Sequence, residues 1–288
     1  MDPVPLLDSD ETTPAEKPLI YIILGAIGSG RREVLADLIE GGLSEGDRAA
    51  VLLSTSETAT EHDARLPNLS RWAWREGVVA AALPEGATHV FFITDGRLNP
   101  VDQIEALQKW MVAVSGELGR IITVVNCQLA EKHAPLLAWY EACIHFSDVA
   151  LLNRREGVAN KWLSDFRLFY KEQCYPCLME IVKGGRVKNP LIVLDPQARR
   201  MSQLFDITEW TGINLEGVEF GTEGAEDPED AGDEAPPPKK ADGKKKGNSN
   251  ESPREDDDWL PPELDPYLRM QINGRREKEL PDIGKYLE

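Results

Sequence analysis

A short glycine-rich segment, YIILGAIGSGRREVL at residues 21–35, has the residue types and spacing needed to bind phosphate. Apolar residues of strand character precede the first glycine, and a helical pattern follows the last one. A strand that enters a helix through such a loop turns backbone N–H groups and the positive helix end towards an anion. The segment therefore predicts a phosphate site, whose candidate residues are Gly25, Gly28, Ser29, Gly30, Arg31 and Arg32.

The loop departs from the usual phosphate-binding pattern GxxxxGK[ST] at its last two positions, which hold Arg31 and Arg32. In that pattern the lysine contacts the β and γ phosphates, and the hydroxyl group after it binds Mg²⁺. Arg31 keeps the charge with a bulkier, planar head, whereas Arg32 removes the metal ligand and adds a second cation. We therefore expect phosphate to be held without Mg²⁺, because guanidinium groups suit phosphate oxygens and repel a divalent ion.

Three later segments follow the loop in the order expected of a nucleotide-binding domain: THVFFITDGRLNP, RIITVVNCQLA and HFSDVALLNRREGV. Together with the loop they resemble the CobW/HypB/UreG family of P-loop GTPases over roughly residues 18–170. The resemblance implies a domain that binds GTP or GDP. The further contact residues that it implies are Asp95, Gly96, Asn153, Arg154 and Glu156.

The resemblance also implies weak catalysis, because several family residues are replaced. Ile93 stands where the family has a glutamate, although Asp95 lies two residues later, and Asn126 replaces an aspartate. Arg154 and Glu156 replace the lysine and aspartate of the guanine-reading NKxD motif, of which Asn153 remains. Hydrolysis needs Mg²⁺ on the phosphates, so we predict little or none, and we assign no catalytic residue and no metal ligand.

Thiolate metal binding is not expected. The segment at residues 65–83, which corresponds to the place of the CxCC-type metal motif of the family, contains no cysteine. Cys127 and Cys143 lie in apolar segments and are expected in the core. Cys174 and Cys177 form a CxxC with no second ligand pair, so free thiols are expected, and a metal or redox role is the alternative.

The elements around these motifs alternate between apolar strands and amphipathic helices. This alternation predicts an α/β fold, a three-layer, doubly wound, mostly parallel sheet like that of P-loop NTPases. A helix is predicted from Val101 to Leu118, a hairpin or an edge extension of the sheet around Gly184 and Gly185, and a short helix at residues 199–207. Trp72 and Trp74 are spaced to share one face of a strand, in the core or at a subunit interface.

Composition divides the chain into four parts. A flexible leader is expected at residues 1–17, the folded domain at 18–215, and a disordered acidic and lysine-rich linker at 216–258. Apolar residues return at 259–288, which predicts either a recognition segment for a protein partner or a strap that folds back on the domain. The residues alone do not separate these two alternatives.

The charge of the chain limits its partners. A formal net charge of −18 disfavours binding to nucleic acid and to anionic membranes. The sequence contains no run of about twenty apolar residues, so no membrane span is predicted. The acidic, proline-rich leader differs from a signal peptide, so a cytoplasmic protein is expected. The functional prediction is a CobW-like nucleotide-binding protein with degenerate catalytic elements. The alternatives are a pseudo-GTPase scaffold, whose arginines form internal salt bridges, and an active GTPase that uses Asp95 for metal.

Overall fold

The computed structural model describes residues 17–206 and 265–287, which belong to one compact unit. The expected leader at residues 1–17, apart from its last residue, lies outside the described residues. So do the linker expected at 216–258 and the predicted domain end at residue 215.

The described residues contain one sheet of eight strands. The strands are β1 Leu19–Leu24, β2 Ala49–Ser54, β3 Leu69–Arg75, β4 Val78–Ala80, β5 His89–Ile93, β6 Glu117–Asn126, β7 Val149–Asn153 and β8 Leu178–Ile181. The helices are α1 Arg31–Gly42, α2 Pro100–Ala113, α3 Cys127–Lys132, α4 Ala134–His145, α5 Asn160–Glu172 and α6 Pro190–Leu194. Short 3₁₀ helices lie at Glu61–Arg65 and Gly284–Tyr286.

The strand order is β4-β3-β2-β5-β1-β6-β7-β8, and among these strands only β3 and β4 pair antiparallel. Alternate residues of a strand face opposite sides of the sheet. On β1, Ile20 and Ile22 pack with residues of α2, α4 and α5, whereas Tyr21 and Ile23 pack with residues of α1 and α6. The sheet therefore has a buried face on each side, and the predicted three-layer α/β fold is confirmed.

The predicted long helix after β5 is shorter than expected. It ends at Ala113, and Leu118 belongs to β6. The backbone N–H of Ser115 donates to the carbonyl of Val112, and that of Gly116 donates to Met111. With Ser115 at φ 53°, this is the hydrogen-bond pattern of a left-handed helix end, which turns the chain into the next strand.

Two other local predictions were partly or wholly wrong. Around Gly184 and Gly185 the expected edge extension is found as the edge strand β8, followed by a tight turn. The second strand-like run of the expected hairpin is helix α6, which begins with Pro190. A short apolar run fits either a strand or a helix, and proline favours the first helical turn. The helix expected at residues 199–207 is absent from 199–206, where the N–H of Arg199 donates instead to Asp148.

The strand tryptophans and the cysteines lie largely as expected. Trp72 is buried, and its indole N–H donates to the carbonyl of Ile93 at 2.9 Å. Cys127 and Cys143 are buried. Cys174 is exposed whereas Cys177 is buried, and burial raises the pKa of the Cys177 thiol, which disfavours a reactive thiolate. Within the described residues, no cluster of three metal-ligating side chains is found.

Residues 265–287 pack on the folded domain. Tyr267 is 1% exposed, and its ring lies 4.8 Å from that of His145. Asp265 pairs with the Nε2 atom of His145 at 2.9 Å. Burial favours a higher pKa for Asp265, but hydrogen bonds from His145 and Ser202 outweigh it and lower that pKa. This placement matches the strap alternative for these residues, while partner binding through residues 259–288 stays a prediction.

The strap, defined here as residues 265–287, is also fixed to α2. Arg276 pairs with Asp102 at 2.5 Å and with Glu105, one turn apart on that helix. Ile283 is buried in the same apolar cluster as Tyr267. The strap therefore covers the face of the sheet that carries α2 and α4. Separately, none of the described helices has the length and apolar character that a bilayer crossing requires.

Replacing Tyr267 by alanine is expected to lower the free energy of unfolding by about 3–5 kcal/mol, as large-to-small changes in a core do. Urea denaturation of the full chain measures this loss. The control is Ile272→Ala in the same strap, because Ile272 is fully exposed and should cost nothing measurable. Equal stability of the two variants would show that the strap does not contribute to the core.

Candidate functional site

The predicted site residues gather at one edge of the sheet. The parallel strands β1, β2, β5, β6 and β7 all end there, so the segments that follow them are neighbours. The glycine loop, residues 25–30, connects the last residue of β1 to the first residue of α1. This edge is where open parallel sheets commonly bind ligands.

The glycines of the loop are required by its backbone. Gly25, Gly28 and Gly30 have φ angles of 139°, 80° and 81°, in the left-handed region that favours glycine. A Cβ atom on Gly25 would also lie 2.5 Å from the carbonyl oxygen of Val124. Gly96 lies equally close, since its Cβ atom would stand 2.6 Å from the backbone nitrogen of Ile27.

Two asparagines hold the carbonyl side of the loop. The Nδ2 atom of Asn126 donates to the carbonyl of Gly28 at 3.0 Å, and that of Asn153 donates to the carbonyl of Ser29 at 2.8 Å. The first bond of α1 joins the N–H of Val34 to the carbonyl of Gly30. No described side chain caps this helix, so the N–H groups of its first turn lack the usual partner.

The side chain of Arg31 turns into the protein. It is 4% exposed; its Nη1 atom donates to the carbonyl of Thr94 and its Nη2 atom to Glu57, each at 2.5 Å. Its Nη2 atom lies 2.7 Å from where a Cβ atom on Gly96 would stand, so glycine is needed there too. The guanidinium group thus crosses beneath the loop to an acidic residue that follows β2.

Arg32 completes an internal ion-pair cluster. It donates to the other carboxylate oxygen of Glu57 at 2.7 Å and to Asp63 at 2.8 Å. It also donates to the carbonyl of Thr58 at 2.8 Å. Glu57 therefore bridges the first two residues of α1, and the cluster consists of Arg31, Arg32, Glu57 and Asp63. These are the internal salt bridges that the scaffold alternative expects.

A cavity of about 210 Å³ opens over the start of α1. Its lining includes loop residues Ile27, Gly28 and Gly30, and the charged residues Arg31, Arg32, Arg97, Arg154, Glu33 and Glu57. Arg154 pairs with Glu33 at 3.1 Å. Arg97 is exposed, and its guanidinium group has no hydrogen bond or ion pair within the described residues. The lining thus carries four arginines against two glutamates.

Asp95 lies beside the loop but is already occupied. Its carboxylate accepts hydrogen bonds from the hydroxyl of Ser56 and, at 2.9 Å, from the backbone N–H of Arg97. It is 5% exposed and does not line the cavity. Each oxygen of this carboxylate thus already accepts a hydrogen bond from within the protein.

Two of the three residues of the predicted base pocket, Asn153 and Arg154, lie together beside Gly30, and the third does not. Asn153 is buried against the loop, and Arg154 lines the cavity with a left-handed backbone at φ 49°. Glu156 is exposed and does not line the cavity, while its backbone carbonyl accepts from Gln128. A guanine contact by Glu156 stays a prediction that requires this side chain to turn towards the cavity.

Sequence reasoning missed Glu57, Asp63 and Arg97. The two acids lie in a polar stretch, STSETATEHDAR, that fits no known spacing. One signal was present, since two adjacent arginines at a predicted buried helix start need anions, from the protein or from a ligand. The sequence does not say which acids supply them.

Comparisons with known proteins give only distant likenesses. No protein-family model and no curated protein matches the chain. The zinc-bound YjiA GTPase from E. coli is 12% identical with a TM-score of 0.38, and the match covers 64% of this chain and 67% of that one. The GDP complex of the signal recognition particle receptor FtsY from Elizabethkingia anophelis is 14% identical, with a TM-score of 0.43 and coverages of 68% and 66%.

A further match, the cell division protein ftsY from Thermotoga maritima, is 16% identical with a TM-score of 0.41, covering 65% of this chain and 70% of that one. Likenesses at this level do not indicate what a chain binds. The fold class rests on the sheet order and the loop of this chain, and the CobW likeness remains a resemblance.

Replacing Glu57 by glutamine is expected to lower the free energy of unfolding by about 3–5 kcal/mol, because two buried guanidinium groups lose their anion. Chemical denaturation checks this value. The matched control is Glu61→Gln, whose side chain is 90% exposed and should contribute nothing measurable. A stable Glu57→Gln protein would contradict the structural role of the ion-pair cluster.

The cluster also predicts a pH dependence through Asp63. Burial favours a higher pKa for this carboxyl group, but hydrogen bonds from Thr60 and Arg32 outweigh it and lower the pKa below its ordinary 3.8. The ionised form is therefore stabilised by folding, so its contribution is present above pH 3.8 and is lost as pH falls through the lowered value. The stability difference between the native protein and Asp63→Asn should shrink below that pH; a difference independent of pH would contradict this origin.

Proposed function

We propose that the protein binds a guanine nucleotide through its phosphate groups at the loop Gly25–Arg32, without Mg²⁺ and with little or no hydrolysis. The observation that carries the proposal is the uncapped start of α1, which opens into a cavity with the unpaired Arg97 in its lining. Free N–H groups at a helix start attract anions through both hydrogen bonds and the helix dipole.

The loop is built to keep those N–H groups available. Asn126 and Asn153 donate to its carbonyl oxygens, and the N–H groups of Ile27 and Ser29 donate to the carbonyls of Gly96 and Ala26. The N–H groups left for a ligand are therefore those of the first turn of α1. The glycines permit a close approach, since no side chain stands between the backbone and a ligand. Arg97 and Arg154 in the cavity lining supply donors in the planar form that matches phosphate oxygens.

Metal-independent binding follows from the residues around the loop. Arg32 replaces the residue whose hydroxyl group would ligate Mg²⁺ in the usual pattern, and its guanidinium group is bound by Glu57 and Asp63. The carboxylate of Asp95 is taken by Ser56 and the N–H of Arg97. An active GTPase would have to rearrange both groups. We therefore propose that the protein binds nucleotide but hydrolyses little or none of it.

The second candidate function is a pseudo-GTPase scaffold with no bound nucleotide. The bridging of Arg31 and Arg32 by Glu57 favours it, because the protein itself supplies the anion that these arginines need. The strap leaves Met270 and Ile272 exposed, which offers an apolar contact to a protein partner. In this function the cluster holds the loop in place, and residues 259–288 would bind the partner.

Isothermal titration of the full chain with GDP separates these functions. We expect similar dissociation constants in EDTA and in Mg²⁺. Arg97→Ala should weaken binding by about tenfold or more, the usual worth of a hydrogen bond to a charged group. The control is Arg75→Ala, an exposed arginine on β3 that does not line the cavity, which should leave the affinity unchanged.

Other outcomes of the titration would exclude the proposal. Absence of binding by GDP, GTP and pyrophosphate in both buffers would support the scaffold. Binding that requires Mg²⁺ would support an active enzyme. Pyrophosphate that binds as tightly as GDP would restrict the site to phosphate and remove guanine from the proposal.

A further inference from the structure

We propose that the outer edge of β8 is a docking surface for an acidic peptide in extended conformation, which adds a strand to the sheet. β8 is the last strand in the sheet order, and among the described strands it pairs only with β7. The edge of a sheet presents backbone groups that an added strand can bind. This surface shares no residue with the lining of the cavity at the glycine loop, so the proposal does not depend on nucleotide binding.

The backbone of β8 has free hydrogen-bonding groups on this edge. The N–H groups of Leu178 and Val182 donate to carbonyls in or next to β7. Successive residues of a strand direct their backbone groups to opposite sides, so Met179 and Ile181 direct theirs away from β7. Within the described part of the chain, these two residues have no backbone partner on the outer side. An extended peptide could therefore bind them without displacing any bond of the sheet.

A basic groove of about 580 Å³ runs beside this edge, between β8 and α5. We define the edge groove by Arg167, Leu168 and Lys171 of α5, Met179 of β8, and Arg199. Arg167 and Lys171 are exposed and have no hydrogen bond or ion pair within the described residues. Among those residues no acid lines the groove, although the whole chain carries a formal net charge of −18. The edge groove is therefore a local positive surface on an acidic protein.

The composition of the edge groove indicates its occupant. Carboxylates on a peptide beside β8 would face Arg167, Lys171 and Arg199, and Leu168, which is 47% exposed, offers an apolar contact. Alternate side chains of a strand face the same side, so a peptide with acidic residues at alternate positions can fill the groove while its backbone binds β8. A second copy of this chain fits less well, because a symmetric pairing of two β8 edges would bring the same cations together.

Peptide binding to the native full chain tests the proposal. The probe is a fluorescent peptide of alternating glutamate and threonine, measured by fluorescence anisotropy, and the control is the same peptide with lysine in place of glutamate. We expect the glutamate peptide to bind at least about tenfold more tightly, because its charge complements that of the groove. Equal binding of the two peptides, or binding of neither, would overturn the proposal.

Methylation of the peptide backbone separates strand addition from simple attraction of charge. One peptide carries methyl groups on its glutamate nitrogens, and a second carries them on its threonine nitrogens. In an added strand, one of these sets faces β8 and the other faces solvent. We expect one methylated peptide to lose affinity by about tenfold or more, because it loses several hydrogen bonds, and the other to keep it. If both methylated peptides bind equally, strand addition is excluded.

A variant on α5 assigns the preference for acidic peptides to the edge groove. Arg167→Glu reverses an exposed charge in the groove and should weaken binding of the glutamate peptide by about threefold or more. The matched control is Lys161→Glu, because Lys161 is an exposed cation on the same helix outside the groove and should leave the affinity unchanged. An equal loss in both variants would contradict the proposal, since the charge of the whole helix would then account for binding.

Discussion

One buried carboxylate, that of Glu57, governs the site at the strand ends. It neutralises the guanidinium groups of Arg31 and Arg32, which begin α1 beneath the glycine loop. Two buried cations without an anion would destabilise the edge of the sheet on which every loop of the site depends. The chemistry of the site therefore depends on how many donor groups of Arg31 and Arg32 are still available to a ligand when both are paired with Glu57.

The ion-pair cluster changes what a phosphate loop can do. In the usual arrangement the cation after the last glycine contacts the β and γ phosphates. Here it is fixed between the carbonyl of Thr94 and Glu57, in a position that serves stability. The proposed binding therefore rests on backbone amides and on arginines outside the cluster, and the proposed lack of hydrolysis rests on this fixed position of Arg31.

Much of the fold could be predicted from the sequence, because continuous apolar strands alternate with amphipathic helices over most of the described chain. The glycines at positions 25, 28 and 30 were also readable, since each one has the backbone angle that glycine permits. The ionic partners were not readable. Glu57 and Arg31 are distant in sequence and meet only after β2 has paired beside β5. The sequence left the strap as one of two alternatives, because its apolar residues suit either a partner or the domain.

The strap has a consequence for how the protein is made. Tyr267 and Ile283 belong to the same apolar cluster as Ile20 and Ile22 of the first strand. Synthesis runs from the first strand towards the strap, so the whole sheet is translated before the residues that cover this face. Until then the nascent domain exposes apolar surface of the kind that chaperones recognise. Residues that are translated after the described sheet therefore complete a core that includes its first strand.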